Sequence, residues 1–263
     1  MTYQQPAFMV DHPCATLCGF DNFIDSSTDL TDDEIRALFD YRANEMAVFD
    51  SAGFQSPRYD MLTNQTGFNR CVIPAGHGLD GATSVDVYHD AGSAFPHATL
   101  VGTSGAVTGT AVIEIVVTVN PGERYWAVNI NGSAAWSLGE LWLGEKVSLS
   151  SGAWVDPSYT DEFETPSNDR DFYTRRVVLK LGTQRRRFSL RVRNVTHGSD
   201  DWDILEEVAQ SGGTPFMYWH VESADEGPFM VQLERDVQRS QDFAAPSVNT
   251  RYSYDIRMIE VTA

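Results

Sequence analysis

The sequence predicts a mainly all-β protein: an antiparallel sandwich or jelly roll followed by a second β-rich domain, with short helices near 32–43 and 201–210. Three observations predict it. Between Met46 and Leu149 short apolar or alternating runs recur, each bounded by Gly, Pro, Asn or Ser, the rhythm of antiparallel sheets. Within them, Arg124–Leu149 reads as a strand over Arg124–Ile130, a turn at Asn131-Gly132 and a second strand over Leu138–Leu143. Asn-Gly is a strong turn signal because both residues accept positive φ at low cost. Trp126, Trp136 and Trp142 add large apolar area for a sandwich core or a binding face. Third, Ser150–Asp171 is polar and acidic and carries Pro157 and Pro166, so the strand pattern stops there and resumes beyond it.

Taken in order, residues 1–45 form an arm and a helix. Pro6 and Pro13 punctuate short apolar runs such as Ala7–Val10, which suit an arm or an edge strand. Thr31-Asp32-Asp33-Glu34 has the form of a capping box, and its acids suit the positive end of the helix dipole. Ile35, Leu38 and Phe39 share one face, giving a helix over roughly Asp32–Ala43. Residues 46–150 make the sandwich, with strands at Met46–Phe49, Cys71–Pro74, Ser84–His89, Ala111–Asn120, Tyr125–Ile130 and Leu138–Leu143. Gly102, Gly105 and Gly109 mark a flexible loop within it. Residues 151–171 are a linker or interface loop. Residues 172–263 form the second domain, with strands at Arg175–Leu181, Arg187–Val195, Met217–Val221, Phe229–Leu233 and Tyr252–Val261. Its helix over 201–210 starts on acids and ends at Ser211-Gly212-Gly213.

Composition excludes several classes of function. Hydrophobic residues make up 42% of the chain and charged residues 21%, enough to bury a core. The 19 basic and 37 acidic residues leave a net charge of -18, against the basic patch that nucleic acid or an anionic membrane requires. No run of about 18 apolar residues spans a bilayer, and the N-terminal residues lack the basic and apolar regions of a secretory signal. Cys14, Cys18 and Cys71 are odd in number and lack a second pair at zinc-ligand spacing, so free buried thiols are expected. Neither a phosphate-binding glycine loop nor a calcium loop occurs, and no metal or cofactor is expected.

The most enzyme-like stretch is PAGHGLDGA, where His77 and Asp80 sit among glycines. It has no nucleophile elbow and no histidine pair at i,i+4, so His77 reads as structural and the chain as non-enzymatic. The acidic clusters read as solvated faces, and Asp200–Asp203 as helix-start charge. Arg185-Arg186-Arg187 is the single basic run; neighbouring strand residues face opposite sides, so it is no continuous basic stripe. Together with Trp154, Tyr159 and Phe163 it supplies candidate protein-interface residues, since aromatic and Arg side chains are enriched at interfaces.

The segments IPAGHGLDGATSVDVYHD, ERYWAVNI and SLGELWLGEKVSL resemble the discoidin-like, galactose-binding-type β-sandwich of tailed-phage virion proteins. In the second half, a strand pair, a helix, GGTPFMYWH and YSYDIRMIEV resemble a β-rich module of phage tail structural proteins. The resemblance implies a non-enzymatic structural subunit of a virion at the tail tip, baseplate or fibre attachment, made in the host cytoplasm. Its partners would be other virion proteins and copies of itself. The same resemblance raises an alternative, a carbohydrate-binding module recognising a host surface glycan through loops of the first sandwich. Tyr59, Phe68, His77 and Asp80 are the candidate contacts: aromatic faces stack on sugars while acids and amides bond hydroxyls.

Overall fold

The computed structural model describes residues 5–24, 30–41, 46–49, 56–95, 98–118, 122–132, 135–151, 154–163, 184–220, 227–243 and 250–261. The chain divides into two compact units, Met1–Leu149 with Thr214–Met230, and Ser150–Gly213 with Val231–Thr262. Residues 214–230, grouped by sequence with the second domain, thus belong to the first unit. Antiparallel sheets dominate both.

In the first unit a five-stranded sheet runs in the order Phe23–Ile24, Arg58–Gln65, Glu123–Asn131, Ser84–Asp90, Thr99–Thr103. A three-stranded sheet joins Trp142–Gly144, Arg70–Ile73 and Ile113–Val116, and Trp136–Leu138 pairs with Ala47–Phe49. The strand period explains the layering. Trp126, Val128 and Ile130 alternate inward with Val85, Val87, Tyr59 and Met61, and meet Cys71, Ile73, Ile115 and Leu143 in one core. Burying each of these large side chains contributes about 1.5–3 kcal/mol. Ala7–Met9 lies between Val147–Ser148 and Phe216–Trp219, so the expected arm is a paired strand.

Several elements depart from expectation. The capping box forms, yet the helix covers Asp32–Ala37 alone. Leu38 is fully buried and its amide turns onto the carbonyls of Ile35 and Arg36, while Tyr41 takes a positive φ of 60° that redirects the chain. Asn131-Gly132 makes no two-residue hairpin, for neither residue has positive φ. Trp136–Leu138 and Trp142–Gly144 instead join two different sheets. Gly132 is needed for another reason: a Cβ there would lie 2.3 Å from the Trp136 ring. Gly102 lies not in a flexible loop but in the strand Thr99–Thr103, where a Cβ would meet the Val116 carbonyl oxygen at 2.7 Å.

The second unit holds a sheet in which Gln184–Thr196 pairs with both Trp154–Phe163 and Arg251–Glu260. Arg251–Glu260 also pairs with Gln238–Phe243 and with Val231–Leu233. Residues 154–163 are therefore a strand rather than linker. Pro157 is tolerated because a strand with one partner, as here among the described residues, has an amide row that need not donate. Of the rest of that expected loop, 152–153 and 164–171 lie outside the described residues, as does the expected strand Arg175–Leu181. Helix Asp200–Gln210 forms where expected. Ser199 accepts from the Trp202 amide, three aspartates fill the first turn, and Asp201 accepts from the Ser150 amide and hydroxyl at 2.6 and 2.5 Å.

Alternation gives this sheet two unlike faces. Phe188, Leu190, Val192, Tyr254, Ile256 and Met258 are buried on the face that receives the helix, whose Trp202 ring lies 4.7 Å from Tyr252 and 5.9 Å from Tyr254. Trp154, Asp156, Arg191, Arg193, Asp255 and Arg257 alternate onto the opposite face.

Candidate functional site

The four loop residues expected to touch a glycan form no site. Tyr59 is fully buried, edge-on to Phe23 and Phe39 at 5.6 and 6.0 Å, and burial pushes its phenol well above the ordinary range. Phe68 packs on Trp126 with ring centroids 5.1 Å apart. His77 is buried too: Nε2 lies 2.7 Å from the Ala111 carbonyl oxygen, and Nδ1 accepts from the Leu79 amide at 3.3 Å. Burial lowers its pKa, which keeps the ring neutral with its proton on Nε2. Asp80 alone is exposed, and its carboxylate closes the loop by accepting from the Gly109 amide at 2.7 Å. Asp80 thereby ties the glycine-flanked loop to the turn at Gly109.

The interface candidates diverge. Trp154 is 74% exposed, the most exposed large hydrophobic side chain among the described residues. Arg187 is half-buried and pairs with Glu234 at 3.4 Å, while the Arg186 amide donates to the Glu260 carboxylate at 3.2 Å. Tyr159, Phe163 and Arg185 occupy ladder positions opposite Phe188, Gln184 and Glu162, and their side chains lie outside the described residues. The arginine run is therefore part of a sheet ladder, with ion pairing of its own.

A groove of about 700 Å³ crosses the polar face of the second unit, lined by Arg191, Arg193, Gln238, Ser240, Asp242, Ser253 and Asp255. Beside it, a depression of about 260 Å³ is lined by Trp154, Val155, Asp156 and Arg193. Arg193 lines both, directly across the ladder from Trp154. A β-bulge follows it: Val192 pairs with Tyr254 but Val195 pairs with Tyr252, so one extra residue is inserted. Asn194 takes φ 67° there, a conformation Asn adopts more cheaply than other non-glycine residues, and its side-chain oxygen accepts from Arg251. Bulges bend a strand and re-aim its side chains, which is why they recur beside binding sites.

Charge on this face inverts the balance of the chain. Asp255 stands among Arg235, Arg191 and Arg257 at 3.5, 3.9 and 4.0 Å. Asp242 accepts from the Ser253 hydroxyl. Arg193 forms no ion pair among the described residues. Among the described residues Arg187, Arg191, Arg193, Arg235 and Arg257 thus meet the carboxylates of Asp156, Glu234, Asp242 and Asp255, in a chain with 19 basic and 37 acidic residues. From the other face the sheet is pinned by Glu206, which accepts from the Tyr254 hydroxyl and from Arg239, both at 2.8 Å. Burial, then the bond to Glu206, pushes the Tyr254 phenol upward. The result is a supported sheet presenting one aromatic plane, amide and hydroxyl groups, and, in Arg193, a guanidinium without an ion pair among the described residues.

No protein-family model matches the chain, and no curated protein matches it. Among solved structures, the chain is similar to CBM32-1 from a family 31 glycoside hydrolase from Clostridium perfringens, at 13% identity and a TM-score of 0.40, over 50% of this chain and 99% of that one. It is also similar to chitosan-binding module 1 from a chitosanase/glucanase of Paenibacillus sp. IK-5, at 18% identity and a TM-score of 0.41, over 51% of this chain and 98% of that one. Among the described residues no helix is long and apolar enough to cross a membrane.

Sequence reasoning singled out Trp154 but missed its setting. Arg191-x-Arg193 at strand period, followed by Asn194, was the available signal for two arginines on one face next to a bulge. Gln238, Ser240 and Asp242 had none, because that polar run carries no apolar alternation.

Proposed function

We propose that the chain is a non-catalytic carbohydrate-binding protein whose site is the groove on the polar face of the second unit. The observation that carries the reading is the Trp154 indole, 74% exposed beside a groove of Arg, Gln, Ser and Asp side chains. A flat aromatic surface takes up the CH face of a sugar ring, and planar polar groups around it exchange hydrogen bonds with the hydroxyls. An exposed aromatic of this size costs solvation free energy, so a ligand that covers it recovers that cost. The site differs from the loops expected by sequence.

A glycan array probed with the full chain and with Trp154→Ala tests this. Binding to a subset of glycans by the wild type, lost in Trp154→Ala, is the expected result. No binding above background at millimolar sugar, or equal binding by the variant, overturns the reading.

The same pair of residue types favours a second reading, docking of a partner protein, since Trp and Arg dominate interface hot spots. That is the form an assembly subunit of a tailed virus would give this face. Size-exclusion chromatography with light scattering separates the two: a concentration-dependent oligomer dissociated by Trp154→Ala supports docking, and a monomer that binds glycan supports the first reading.

A further inference from the structure

We propose that the ligand of this groove is a carboxylate-bearing saccharide, a glycan containing uronic acid, and that Arg193 selects its charge; this rests on the carbohydrate-binding reading above. Arg193 and Trp154 share a depression and face each other across the ladder, so a sugar stacked on the indole brings its ring substituents to the guanidinium. Arg193 has no ion pair among the described residues, and it also borders the larger groove, where the next sugar of a chain would lie. The bulge at Asn194 fixes the strand immediately after it.

The surrounding charges set the class of anion. Asp255 is shared by Arg191, Arg235 and Arg257 at 3.5–4.0 Å, so one carboxylate serves three guanidiniums with donors to spare. A guanidinium presents a planar fork that matches a carboxylate with two parallel hydrogen bonds. Asp242 lines the groove and Asp156 the depression beside it, and both repel a ligand of high charge density. That favours one carboxylate per sugar over several sulfate esters.

Isothermal titration calorimetry of the full chain against an oligogalacturonate, a neutral galactose oligomer and a sulfated galactose oligomer tests the proposal. The uronate should bind roughly tenfold or more tighter than the neutral sugar, as one charge-assisted pair implies. The gap should narrow as salt rises. Arg193→Gln should bring the ratio of uronate to neutral affinity down to about one; Arg193→Lys should restore part of the gap, keeping the charge without the fork. Trp154→Ala should weaken all three. Equal affinity for uronate and neutral sugar, still dependent on Trp154, overturns the charge selection and leaves the carbohydrate reading standing. Tightest binding of the sulfated oligomer overturns the choice of carboxylate, and no saccharide binding at all overturns both. Both side chains are exposed, so circular dichroism should report unchanged folding.

Discussion

Trp126 and Trp154 both sit on strands of antiparallel sheets, and their surroundings give them opposite roles. Trp126 is fully buried, with Phe68 on one side and His89 on another, at the meeting of two sheets. Trp154 is 74% exposed on a face where charged side chains alternate with it. In the first unit aromatic area is spent on cohesion: Trp136 and Trp142 are buried as well. In the second, the helix and the apolar sheet face supply cohesion, which leaves Trp154 available for a ligand. Composition at a strand position does not decide between core and site; what covers the face does.

The largest expected effect breaks the first half of that comparison. Trp126→Ala should cost about 3–5 kcal/mol, since it removes a fully buried ring and leaves a cavity. Urea unfolding measures it, and a cost under about 1 kcal/mol would mean that Trp126 is not a core residue. Next comes the buried pair of His12 Nε2 and Glu140 Oε2, 2.8 Å apart, with His12 stacked 4.0 Å from Trp142. His12→Ala removes a fully buried hydrogen-bond partner of Glu140 and the ring stacked on Trp142, so it should cost about 3 kcal/mol by the same urea measurement.

Alkaline pH should then separate core from surface. Burial pushes the Cys71 and Cys18 thiols up to about 12 from an ordinary 9.0, and raises Cys14 as well. Above pH 9 the unfolded chain loses these protons while the folded chain keeps them, so the folded state binds more protons and stability falls as pH rises from 9 to 12. Chemical denaturation between about pH 8 and about pH 11 should show the fall, with its onset near 9. A flat profile would place the thiols in water. At the small end, Ser199→Ala should cost about 1 kcal/mol through the cap of helix Asp200–Gln210.

The sheets of the first unit were legible because burial imposes period 2, which Ser84–Asp90 keeps, and because Glu123–Asn131 sets Trp126, Val128 and Ile130 at alternate positions even though Ala127 and Asn129 are buried as well. The capping box was legible because it is local chemistry, although the length of its helix was not, since a tertiary demand on Leu38 ends it. Arg58–Gln65 and Gln238–Phe243 escaped notice: each is polar along much of its length and is a strand only because a neighbour supplies the ladder. The site was legible at one residue. Trp154 stood out as an interface type, but its partner Arg193 is 39 positions away and meets it only through register. Tyr59, Phe68 and His77 were misplaced for the converse reason. Aromatic and histidine residues near glycines look alike in sequence whether a second sheet covers them or not, and here one does.

The smallest expected effect on stability is the sharpest test of the comparison. Trp154→Ala removes more side-chain atoms than almost any substitution can, yet the indole is largely in water. Surface changes of that kind fall within about 0.5 kcal/mol. The urea midpoint should therefore barely move while glycan affinity falls, whereas Trp126→Ala should lower the midpoint and affect affinity only through the loss of folded protein. If Trp154→Ala were to destabilise the chain by several kcal/mol, the residue would be covered by protein in solution and the open face would belong to an interface. If stability holds and affinity drops, the two tryptophans divide folding from recognition between the two units.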